Sequence, residues 1–184
     1  MVVTDRERLA HLVKHTDQRR VIIDLVKRNG WKRGAEIGVL RGKTLFSTLN
    51  ACPDLHMVGV DQWKHVPLRP DENAETYVGF DMALLEREVK AKAKSYGLRC
   101  VILHGDTVSM AEHVADGSLD FVFIDADHTE AGVRRDIEAW TPKVRSGGMV
   151  LGHDISWGTV NKVVREVFPD FQSFGEEVWG AVKR

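Results

Sequence analysis

Five short apolar runs each end on a glycine, an acid or both. These endings hold most of the residues able to do chemistry: Glu36-Ile37-Gly38, Asp61-Gln62, Gly105-Asp106, Asp125-Ala126-Asp127-His128 and Gly152-His153-Asp154. Carboxylates gathered on one rim repel unless a cation sits among them, so the set points to a bound positive charge. His128 and His153 stand beside acids, where an imidazole can take a proton from a hydroxyl. Any one aspartate of the five serves equally well as a helix cap or turn former. The recurrence at all five endings is what favours a site.

The turn Gly34-Ala35-Glu36-Ile37-Gly38-Val39-Leu40-Arg41-Gly42-Lys43-Thr44 discriminates among nucleotide-type ligands. A P-loop for ATP or GTP needs four residues between its glycines, and Gly38 and Gly42 enclose three. A nicotinamide dinucleotide needs G-x-G-x-x-G, which Gly34, Gly38 and Gly42 do not match, and Glu36 would face a pyrophosphate. S-adenosylmethionine carries no phosphate but an ammonium and a sulfonium, so a carboxylate at Glu36 suits it. Gly38 and Gly42 let the backbone approach the methionine moiety. Asp61 can accept from the ribose hydroxyls, and Asp106 from the adenine amino group.

EIGVLRGKT from Glu36, then GVDQW, HGD, FIDADH and GGMVLGHD, together resemble a class I S-adenosylmethionine-dependent methyltransferase. The resemblance is greatest to small bacterial methyltransferases with an IDADH…GHD pattern, and behind them to cation-dependent O-methyltransferases of the catechol and caffeoyl-CoA type. It covers roughly residues 34–155, and its motifs are specific only in combination. It implies a doubly wound, Rossmann-like, mostly parallel sheet of seven strands, the last antiparallel, with helices on both faces. It places Glu36, Gly38, Val39, Gly42 and Thr44 at the methionine end, Asp61 and Gln62 at the ribose, and Asp106 and Thr107 at the adenine, with Asp125 bordering the cofactor.

In the cation-dependent relatives a divalent ion is held by an Asp ending the fourth strand and an acidic pair ending the fifth. Asp125 and Asp154 match two of these ligands, but Ile155 stands at the third, so His153 or Asp127 would have to substitute. Carboxylates and water suit Mg²⁺, and an imidazole shifts the preference toward Mn, Fe or Zn. His128 falls where those families carry a lysine near the acceptor hydroxyl, which makes it the expected general base beside Asp125; His153 has a similar claim. The resemblance implies methyl transfer to a hydroxyl of a small molecule, sugar or catechol-like. Two alternatives stay open, a module that binds S-adenosylmethionine without catalysis, favoured by Ile155, and more remotely a P-loop-like nucleotide-binding protein.

The elements that must position these residues follow from pattern. Runs over 35–39, 56–61, 99–106, 119–125 and 149–154 are apolar without alternation, as strands buried on both faces are. Helical periodicity lies between them, clearest at Val160, Val163, Val164, Val167 and Phe168. Thr4 with Glu7 has capping-box spacing, and a second helix around Val21–Val26 stops at Asn29-Gly30. Strand alternating with helix gives an α/β fold. The tail, 171–174 and 178–182, reads as two strands turning back at Gly175.

At 184 residues, with 43% hydrophobic and 29% charged side chains, the chain is expected to form one domain over 1–184. Residues 1–33 supply N-terminal helices and 62–80 an acceptor-binding loop, with Trp63, His65 and Trp157 as candidate walls. Lys and Arg number 26 against 27 Asp and Glu, so no global field recruits nucleic acid or an anionic membrane. The charged opening from Thr4 does not read as a signal peptide, and no apolar run nears the roughly 18 residues of a membrane span. A cytoplasmic enzyme is expected. Cys52 and Cys100 make neither a disulfide framework nor a zinc pair. A homodimer is compatible with these features but not fixed by them.

Overall fold

A computed structural model describes residues 17–64 and 80–184. The expected helix at Thr4, and most of the expected acceptor loop with His65, lie outside the described residues.

The described chain forms one seven-stranded sheet in the order β3-β2-β1-β4-β5-β7-β6. Its strands are β1 (Arg33–Ile37), β2 (His56–Asp61), β3 (Cys100–His104), β4 (Leu119–Ile124), β5 (Val144–Gly152), β6 (Gln172–Phe174) and β7 (Val178–Val182). The first five are mutually parallel, and β7 runs antiparallel to both β5 and β6. The expected antiparallel last strand and the paired tail strands are both present.

The helices are α1 (Gln18–Asn29), α2 (Lys43–Ala51), α3 (Met82–Lys94), α4 (Thr107–Ala111), α5 (Glu130–Trp140) and α6 (Gly158–Val167). Apolar stripes from α1, α2 and α3, including Ile22, Leu45, Phe46 and Val89, pack on one sheet face against Phe121 and Phe123. On the other face Val133, Ile137, Trp140, Val163 and Val164 cover Ala35, Ile37, Val122 and Val150. Side chains alternate across a strand, so a run buried on both faces must be apolar throughout. Cys52 and Cys100 are buried free thiols in the first of these cores, and burial pushes Cys100 up to about 11.

Most strand ends differ from the sequence reading by a residue or two, and two differences have a visible cause. β1 ends two residues early because Gly38 takes φ 94° and turns the chain out of the sheet. β5 begins at Val144, five residues early, and its register against β4 shifts between Leu119 and Phe121. Gly147, at φ 72°, lies in that stretch and hides the strand from a pattern search.

The strand order reverses between β1 and β4, which are hydrogen-bonded neighbours. In such sheets the crevice at the carboxyl ends beside the reversal is where ligands bind.

Candidate active site

Glu36 stands on β1 and Asp125 directly follows β4, the two strands that flank the reversal. Gly38 belongs to the same junction, because a Cβ there would sit 2.0 Å from the Asp125 carbonyl oxygen. Only glycine allows the exits of β1 and β4 to touch so closely at this positive φ. Asp125 N–H to Ile37 O at 2.7 Å stitches the junction, and Gly38 N–H to Val60 O at 2.9 Å ties the turn to β2.

Asp61 closes the turn from the side. Its two carboxylate oxygens accept from Leu40 N–H and Trp63 N–H, each at 2.7 Å, while the Trp63 indole donates to Leu40 O at 2.9 Å. Leu40, Trp63 and Asp154 are the non-glycine residues at positive φ among those described, and all three lie at this rim, where strained backbone tends to gather at functional sites. A phosphate cradle needs inward-facing amides free; here Leu40 N–H is committed to a carboxylate, with Glu36 close behind. The P-loop alternative therefore has no support in the turn's geometry.

Glu36 is 3% exposed, and its Oε2 has no partner among the described residues. Burial, with the nearby charges of Asp125 and Asp61, holds its carboxyl well above the ordinary range. Such an acid is poised for a cation. Thr44 opens α2 beyond Gly42, which starts the helix at φ 67°. Val39 is buried in the core, so only its main chain can reach a ligand, and Gln62 is exposed beside Asp61.

Across the crevice, Asp125, His128 and Asp154 bring one ligand atom each within 4.8 Å of the others. His128 Nε2 is 2.8 Å from Asp154 Oδ2 and 3.8 Å from Asp125 Oδ1. It makes no hydrogen bond of good geometry, so the contact is an ion pair off the N–H axis. Burial opposes the imidazolium, but the two carboxylates outweigh it and lift His128 to about 10. Asp154 is held below the usual carboxylate range because His128 and His153 more than offset its burial. His153 Nδ1 lies 3.1 Å from Asp154 Oδ1 and 3.8 Å from Asp125 Oδ1, and its pKa is likewise raised as these acids overcome burial.

The sequence offers His153 as the histidine ligand and His128 as the base, and the structure brings both imidazoles against Asp125 and Asp154, with His128 in the three-residue group whose ligand atoms share one centre. The two carboxylates hold a proton on His128, so a base role there is tied to what becomes of their charge. Asp127, the other substitute ligand considered, turns away. Its Oδ1 accepts from Thr129 N–H at 2.8 Å, and its carboxylate covers the first turn of α5 so closely that a Cβ at Gly132 would meet Cγ at 2.1 Å. Asp154 does not cap the following helix with its side chain; its main-chain O accepts from Trp157 N–H.

Asp106 caps α4, Oδ1 accepting from Val108 and Ser109 N–H at 3.1 Å. The Thr107 hydroxyl donates to buried Asp136. Trp157 is 38% exposed with its ring centroid 4.9 Å from that of His128, and the Thr159 hydroxyl fixes the His128 carbonyl at 2.6 Å. Sequence reasoning missed Gln18, whose Nε2 lies 3.3 Å from Asp125 Oδ2 and 3.5 Å from Thr44 Oγ1. A glutamine in a first helical turn carries no sequence signal, and only the packing of α1 brings it to the rim.

A family model described as a methyltransferase domain matches residues 35–155, and no curated protein matches the chain. Solved structures share the fold. One is a Staphylococcus aureus protein provisionally assigned as a caffeoyl-CoA O-methyltransferase, 16% identical, TM-score 0.68, covering 99% of this chain and 93% of that one. Another is the Podospora anserina methyltransferase PaMTH1 with bound S-adenosylhomocysteine, 15% identical, TM-score 0.66, with 93% and 80% covered. A third is TomG of Streptomyces achromogenes, an O-methyltransferase in complex with S-adenosylmethionine, 11% identical, TM-score 0.61, with 93% and 82% covered. Among the described residues no helix is long and apolar enough to cross a membrane. The domain match across most of the chain, on a sheet of this order with its acids at the reversal, makes the protein a member of the class I S-adenosylmethionine-dependent methyltransferases.

Proposed function

We propose that the protein methylates a hydroxyl oxygen of a small molecule, with a divalent cation at Asp125 and Asp154. The observation that carries this reading is the convergence of Asp125, His128 and Asp154 beside Glu36 at the sheet reversal. TomG, an O-methyltransferase, shares the fold.

The residues fit both groups that the reading requires. Glu36, buried and with an oxygen unpartnered among the described residues, offers negative charge to an ammonium, and the turn above it has an amide closed by Asp61. The carboxylates of Asp125 and Asp154 are donors that Mg²⁺ accepts with added water, and they leave His128 Nε2 free of the ion. Bound S-adenosylmethionine supplies a methyl group already activated on sulfonium, and a bound divalent ion lowers the pKa of a hydroxyl.

The chain's own residues do the rest. Gly38, Val39, Gly42 and Thr44 shape the methionine end; Asp61 and Gln62 meet the ribose; Asp106 and Thr107 border the adenine. Gln18 ties the donor-side Thr44 to the acceptor-side Asp125. Were a bound cation to offset the charge of Asp125 and Asp154, His128 would give up its proton to solvent, and Nε2 would then be the atom placed to take the acceptor's proton. Trp157 beside it gives a half-exposed wall for a sugar or aromatic ring. Holding two reactants in line supplies most of the rate.

The test is calorimetric titration with S-adenosylhomocysteine, with Mg²⁺ or Mn²⁺ and again after EDTA, followed by a hydroxyl-acceptor screen using radiolabelled donor. Binding with metal-dependent turnover is expected. Turnover unaffected by EDTA would remove the cation from the reading, and no binding would remove the donor site.

A further inference from the structure

Asp136, on α5, is a buried acid that the functions above leave unused. It is 2% exposed; one oxygen accepts from the Thr107 hydroxyl, and Oδ2 has no partner among the described residues. Trp140, one turn further along α5 and fully buried, donates its indole N–H to the Thr107 carbonyl at 3.0 Å. Thr107 is thus gripped at its hydroxyl and its carbonyl from one helix, while Asp106 before it is fixed as the cap of α4.

Burial drives the Asp136 carboxyl up to about 6. The charges of Asp127 and Asp106 add to this, and the Thr107 hydroxyl and Arg135 oppose it. Near neutral pH the group is therefore largely ionised in a site that disfavours the charge. An uncharged side chain would spare the fold that burden. A hydroxyl-to-carboxylate bond is, however, stronger and shorter than a neutral one, which suits a group whose task is to immobilise a turn.

Resting on the placement of Asp106 and Thr107 at the adenine, we propose that Asp136 is the positioning residue of the nucleoside subsite. It fixes Thr107 through its hydroxyl, and so sets the main chain that the adenine meets. Trp140 completes the clamp from the carbonyl side. Because α5 also starts from the Asp127–Thr129 turn, the same helix ties the nucleoside end to the loop bearing Asp125 and His128.

Calorimetry on the full chain with S-adenosylhomocysteine, and separately with adenosine, tests this. Asp136→Ala should weaken both ligands about tenfold, the loss of the hydrogen bond that fixes Thr107. Asp136→Asn, which keeps an acceptor for Thr107 but not the charge, should bind within about threefold of wild type while melting higher near pH 8. A purely structural role would instead make melting temperature and affinity fall together. If Asp136→Ala fails to fold, Thr107→Val removes the same bond at constant shape and carries the same expectation, with Thr107→Ser as its rescue. Unchanged affinity in Asp136→Ala or Thr107→Val, or Asp136→Asn as weak as Asp136→Ala, would overturn the proposal while wild-type binding left the donor site standing. Wild type that bound no S-adenosylhomocysteine would overturn the donor site and the proposal with it.

Discussion

His128 Nε2 lies 2.8 Å from Asp154 Oδ2, joining the segments that leave β4 and β5. Asp154 takes φ 56° to reach it, and its carboxylate is spent on histidines rather than on a helix cap. A proton and the proposed metal ion would compete for this cluster, so its electrostatics make the cation and the base one question.

Metal binding should release the His128 proton. Below the pKa of about 10, apparent affinity for Mn²⁺ should strengthen as pH rises, because fewer protons compete. Titrations in buffers of different ionisation heat should report about one proton released per ion near neutral pH. No proton release would show that His128 is not coupled to the ion.

His128→Ala separates base from ligand. As base, its loss should lower kcat by about 10²- to 10⁴-fold and leave Mn²⁺ affinity within about tenfold. Abolished metal binding with the fold intact would make His128 a ligand.

Glu36→Gln should stabilise the unliganded protein increasingly as pH rises. The folded pKa of Glu36 is raised above the ordinary 4.5, so the native state holds a proton that the unfolded chain gives up. Its contribution is full below the unfolded value and declines as pH climbs above it. The melting-temperature gap over wild type should therefore widen from about pH 5 to about pH 8. The same substitution should weaken S-adenosylhomocysteine more than about tenfold, since it removes a charge-assisted contact. A gap that did not widen, or unchanged affinity, would show that Glu36 is merely buried.

Gly38→Ala should be far worse than Gly30→Ala, although both glycines have positive φ. At Gly30 nothing lies within 4 Å of the added Cβ, whereas at Gly38 it meets the Asp125 carbonyl. The expected destabilisation is about 1 kcal/mol at Gly30, and on the order of 3 kcal/mol with lost donor binding at Gly38. Denaturant melts and calorimetry on the two variants decide it; equal effects would mean that the β1–β4 junction can relax.

Gln18→Leu keeps much of the side chain's bulk and removes the amide that reaches Thr44 and Asp125. About three- to tenfold weaker S-adenosylhomocysteine is expected, with little change in melting temperature, since the side chain is partly exposed at the helix start. Unchanged binding would reduce the bridge to an incidental contact.

Much of this protein was determined by sequence alone. Unbroken apolar runs required strands buried on both faces, and acids at their ends required a charged rim at the carboxyl edge, because both follow from local pattern and side-chain chemistry. Glu36 with Gly38 selected a cationic, phosphate-free ligand on the same grounds. The tertiary structure decided how those groups are used. Asp127 and Asp125 are two residues apart, yet one serves a helix turn and the other the crevice. His128 is pushed toward its charged form because Asp125, close in sequence, and Asp154, distant in sequence and 2.8 Å away, both face it. Gln18 and Asp136 carried no motif and gained their places only when α1 and α5 packed on opposite faces of the sheet. Charge, burial and proton affinity are sums over neighbours in space, and those neighbours exist only once the sheet has brought its strand ends together.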